Sequence, residues 1–171
     1  VAESALLKDL EGVKHMENAD QARELHERFA IELFNLVWDL MDREVRTPEE
    51  DDRMLHAAHA SRFHWGEIGT PLEFERGEWQ ISRVYSVLKR PEGALFHARR
   101  CLEICEAGGI GDFDLAFAYE AHARACSVAG DASGVSKYMR LAEKAGEAIA
   151  EEDNRSYFVN ELNTIPGFGK L

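Results

Sequence analysis

The sequence predicts an all-α protein made of antiparallel helix hairpins. Three observations carry that reading. Apolar residues recur at spacings of three and four, two segments open with a Thr-Pro box, and nowhere does apolar alternate with polar as a strand requires. A length of 171 residues with 45% apolar residues suits a single domain that buries its own core.

Taken in order, residues 1–15 read as an added leader ahead of a start at Met16, with Leu6, Leu10 and Val13 as a short apolar stripe. Residues 16–165 then form one domain, and residues 166–171 a short tail. The first helix of the domain is expected from Asn18, capped with Gln21, to about Arg43, on a stripe of Leu25, Phe29, Leu33, Leu36, Val37 and Leu40. Thr47-Pro48-Glu49-Glu50 and Thr70-Pro71-Leu72-Glu73 open the second and third helices. Each has Thr at the N-cap, Pro at the first helical position and Glu closing the box. Gly66 and Gly69 stop the second helix, Arg90-Pro91 parts the third from the fourth, and Gly108-Gly109 ends the fourth. Asp112 is the expected cap of the fifth, and Gly130-Asp131 separates the fifth from the sixth. A last short helix carries Tyr157, Phe158 and Leu162 before Pro166, giving seven helices.

Composition limits the function. Twenty Lys and Arg against thirty-two Asp and Glu leave a formal charge of −12, which repels nucleic acid and anionic membranes. No apolar run is long enough to span a bilayer, and no secretory signal pattern opens the chain, so a cytoplasmic location is expected. Cys101, Cys105 and Cys126 form no CxxC pair and read as core residues. No cofactor motif is present: there is no GxSxG, and Gly167-Phe168-Gly169-Lys170 lacks the length and following helix of a P-loop.

The hairpins also repeat. Ala94-x3-Ala98 and Val135-x3-Met139 lie 41 residues apart, each in the second helix of a pair, and Glu78, Ile81, Ser82 and Tyr85 match Tyr119, His122, Ala123 and Cys126. The pattern is similar to the tetratricopeptide repeat (TPR), though without its Gly and closing Pro and with a longer period. Phe34-Asn35-x2-Trp38, the run His59 to Trp65, the run Arg76 to Tyr85, and Gly111-Asp112-Phe113-Asp114 together resemble an uncharacterised group of bacterial TPR-like proteins. The resemblance implies a short TPR-like α-solenoid whose first helices line a concave groove. It places Arg76, Trp79, Arg83 and Ser86 there from one hairpin, and Phe117, Glu120, Arg124 and Ser127 from the next.

The expected function is therefore a non-enzymatic binding scaffold holding a peptide or a small anionic ligand, because paired guanidinium groups beside an indole suit a planar anion. The competing reading is that these Arg pair with acidic neighbours, Glu120–Arg124 above all, while Trp79 fills a seam. A second hypothesis is a metal-assisted enzyme using His56, His59 and a half-buried Glu78 with a raised pKa, although no HExxH supports it. A third is self-association as a homodimer that caps the ends of the stack.

Overall fold

The computed structural model describes residues 2–167, with side chains from residue 18 onward. The side chains of the leader and residues 168–171 of the tail lie outside the described residues. Among the described residues the protein is entirely helical: α1 (Ala2–Met41), α2 (Pro48–Ile68), α3 (Pro71–Val87), α4 (Pro91–Gly108), α5 (Asp112–Ala129), α6 (Ala132–Glu147) and α7 (Glu152–Leu162).

Local chemistry sets most boundaries. At Thr47 and Thr70 both halves of the capping box form. Glu50 and Glu73 accept from the two Thr backbone N–H groups at 2.9 and 2.8 Å. Replacing Thr70 with Ala is expected to cost about 1 kcal/mol in urea unfolding; an unchanged midpoint would mean the cap contributes nothing. Gly109 and Gly130 end α4 and α5 in the left-handed region, and Asp131 caps α6 by accepting from Gly134 N–H at 3.0 Å. Two expected starts differ. Asn18 lies inside α1, because nothing at that point breaks the helix. Gly111, not Asp112, is the N-cap of α5, and the Asp112 carboxylate instead accepts from Ala150 N–H at 3.2 Å, joining the start of α5 to the α6–α7 junction.

Packing follows the hairpins. α1 pairs with α2, α3 with α4 and α5 with α6, while α2–α3 and α4–α5 contacts join successive pairs. The odd-numbered helices also meet in order, α1 with α3, α3 with α5 and α5 with α7. One core cluster, including Val37, Leu40, Met54, Ile81 and Val84, binds α1, α2 and α3. Another, including Phe117, Met139, Ile149, Phe158 and Leu162, binds α5, α6 and α7. Between them Ala94, Ala98, Ala121 and Ala125 keep side chains short so that α4 and α5 approach closely. Buried polar side chains bond to the neighbouring helix backbone: Ser61 Oγ donates to Ala30 O at 2.8 Å, Gln80 Nε2 to Phe34 O at 3.0 Å and Ser82 Oγ to Ala94 O at 2.9 Å. No helix of the described residues is long and apolar enough to cross a membrane.

Candidate functional site

The odd-numbered helices converge on an open cavity of about 210 Å³. Phe34 and Trp38 come from α1, Glu75, Arg76 and Trp79 from α3, Phe113, Asp114 and Phe117 from α5, and Tyr157 from α7. Spacings of three and four put each helix's contributors on one face. The walls are mostly aromatic. Trp79 lies 5.7 Å from Trp38 and 5.4 Å, edge-on, from Phe117, while Phe113 packs on Phe117 at 4.6 Å and Tyr157 on Phe117 at 5.9 Å. Arg76 sits among these rings with its guanidinium forked onto Asp114, at 2.7 and 3.3 Å.

Glu75 is the most buried lining residue, 1% exposed. Its Oε1 accepts from Cys101 Sγ at 3.2 Å, whereas Oε2 is buried with no hydrogen-bond partner. Burial pushes its carboxyl up to about 8; Asp114 adds to the rise, and the Cys101 bond and Arg76 oppose it. Glu75, Cys101 and Cys105 also bring donor atoms within 4.8 Å of one another, so this trio is what could hold a metal among the described residues. Burial holds the Cys101 thiol well above the ordinary range, so a metal there would have to displace protons from both residue types.

The expected anion row divides. Arg76, Trp79 and Phe117 line the aromatic cavity. Ser86, Arg124 and Ser127 line a second one of about 400 Å³ together with Lys89 and Pro166. Between them stands a buried ion network. The Glu120 carboxylate, 0% exposed, accepts from Arg124 Nε at 2.6 Å, Arg83 Nη1 at 3.2 Å and Trp79 Nε1 at 3.3 Å. Arg83 also reaches Glu161 on α7 at 2.8 Å, and Arg124 donates to Thr164 Oγ1 and the Glu161 carbonyl at 2.7 and 3.1 Å. Each of the three Arg therefore already faces a carboxylate. The row is neutralised from within, and Arg83 and Arg124 tie α3 and α5 to α7 and the chain that follows it.

His56, His59 and Glu78 do not converge as a metal set. Arg62 Nε and His97 take the two Glu78 oxygens at 3.1 and 2.7 Å. His59 Nε2 turns to the Tyr85 hydroxyl at 3.2 Å, and His56 is exposed on α2. Burial pulls the Glu78 carboxyl up, but the His97 bond and the Arg62 charge outweigh it and hold it below its ordinary value, the opposite of the expected direction. Burial and the nearby His97 lower His59. His122 is a core histidine stacked on Tyr138 at 4.2 Å, and burial pushes it down to about 4, helped by Arg99 and Lys137.

The shift at His122 has a measurable consequence. The unfolded chain takes up the proton near 6.5 and the folded one near about 4, so stability is lost as pH falls through that interval. His122→Leu is expected to flatten the acid limb of the stability profile between those values, and an unaltered limb would contradict the assignment.

Phe34, Trp38, Glu75, Phe113, Asp114 and Tyr157 were not singled out as ligand contacts by sequence reasoning. One signal for the first three was present. Trp38, Trp79 and Glu120 recur at the 41-residue period of the hairpins, and Phe34 precedes Trp38 by the same four residues that separate Glu75 from Trp79. Compared with known protein families, curated proteins and solved structures, the chain has no match.

Proposed function

We propose that the protein is a non-enzymatic binding protein, a short TPR-like stack whose inner face holds a small organic ligand, either free or as a side chain presented by a partner. The observation that carries this reading is that α1, α3, α5 and α7 each commit aromatic side chains to one open cavity and leave it unfilled. A folded chain gains by closing such a space, since exposed ring faces forgo dispersion and burial energy. At about 210 Å³ the cavity is smaller than the roughly 300–1,000 Å³ of drug-sized sites, so its occupant is compact. The order of the hairpins supports the TPR-like reading, because the first helix of each pair faces the shared cavity as in concave repeat surfaces.

Fluorescence tests this. In a Trp65→Phe protein, the remaining indoles are Trp38 and Trp79, both in the cavity wall. A library of compact fragments is expected to yield compounds that saturably quench or shift this emission and raise the melting temperature. A library in which no fragment does so would remove the reading.

A further inference from the structure

We propose that the aromatic cavity is an ammonium site, in which the rings of Trp38, Trp79, Phe113, Phe117 and Tyr157 surround an alkylated organic cation and Glu75 supplies its counter-charge. This rests on the cavity being a ligand site, as argued above, and it names the class of ligand.

Three independent features point to a cation. First, aromatic faces carry negative charge density, and rings arranged around a volume of about 210 Å³ suit a compact alkylated nitrogen, which needs no directed hydrogen bonds. Second, a buried carboxyl oxygen without a partner is costly, and Glu75, a residue of the cavity's lining, carries such an atom in Oε2. A positive group in the cavity offsets that cost; an anion would compound it. Third, the cationic alternatives are spent. Arg76, the one basic residue lining the cavity among the described residues, is forked onto Asp114, so no unpaired cation lines it to favour an anion. The chain's net charge of −12 acts in the same direction at long range.

The experiment compares choline with its neutral isostere 3,3-dimethylbutan-1-ol by calorimetry on the wild-type protein. Choline is expected to bind about tenfold tighter or more. In Glu75→Gln, with thermal unfolding as the check on folding, that preference should fall. Equal affinities for the two probes in the wild type would overturn the ammonium assignment while leaving a ligand cavity in place. If neither probe binds, and the fragment library also fails, the cavity reading falls with it. Should fragments bind while choline and the alcohol do not, only the ammonium assignment is lost. The wild-type comparison stands even if the Gln variant does not fold.

Discussion

Replacing Arg124 with Met is expected to remove about 3–5 kcal/mol of stability in urea unfolding, the cost of leaving a buried carboxylate short of its cation. Glu120 is fully buried, and Arg124 provides its shortest hydrogen bond, at 2.6 Å from Nε. The substitution also leaves the Thr164 hydroxyl and the Glu161 carbonyl bonded only to each other, so the end of α7 and the segment after it lose their anchor on α5. The double variant Glu120→Gln/Arg124→Met removes charge and counter-charge together, and an amide can still accept from Trp79 or Arg83. It is expected to recover more than half of the loss. Equal destabilisation of the single and double variants would show that the pairing is not what the core depends on. The same network governs how Arg83→Ala should be read: its effect falls on stability, through Glu120 and Glu161, before it falls on any ligand.

Phe158→Ala is the second large effect, again about 3–5 kcal/mol. Phe158 is 0% exposed and meets Phe117 edge-on at 5.1 Å, and its ring occupies the space that a side chain at Gly146 would need. α7 is short, and Phe158 and Leu162 are its buried residues. Losing the ring should therefore loosen the whole helix, and with it the Tyr157 wall of the cavity next door. Hydrogen exchange would show this as faster exchange throughout α7 while the α1–α2 pair stays protected. A loss under about 1 kcal/mol, or exchange rates in α7 that do not change, would mean α7 is held by the ion network alone.

Much of the fold could be read in the sequence because its signals are local. Thr-Pro-x-Glu boxes, left-handed Gly residues and Asp131 set most helix ends within one turn of chain, and they appear where expected. The misplaced starts, Asn18 and Asp112, are residues that can cap a helix but here have other roles: one lies within a continuous helix, and the other bonds to Ala150.

The site was only half legible, for a physical reason. Helical periodicity puts Arg76, Trp79 and Arg83 on related faces, but it cannot show which acid each Arg meets across helices. The decisive partners are far away: Asp114 is 38 residues from Arg76, and Glu161 is 78 residues from Arg83. Those pairings convert an apparent cationic row into a neutral brace and leave an aromatic, acidic hollow beside it. Glu75 gave little local warning, since a Glu one turn before a Trp on a helix looks like surface. Its partner there is also distant in sequence: Cys101, 26 residues away on α4, donates to its Oε1. Even so, Phe34, Trp38, Arg76, Trp79, Phe113 and Asp114 all fall within the strings that suggested the TPR-like resemblance.

The most direct measurement is an NMR titration of the three indole N–H resonances with the tightest-binding fragment. The account predicts that the Trp38 and Trp79 signals move together and saturate, with Trp65 shifting least. A bound fragment that moves Trp65 alone, or leaves all three indoles where they were, would contradict it.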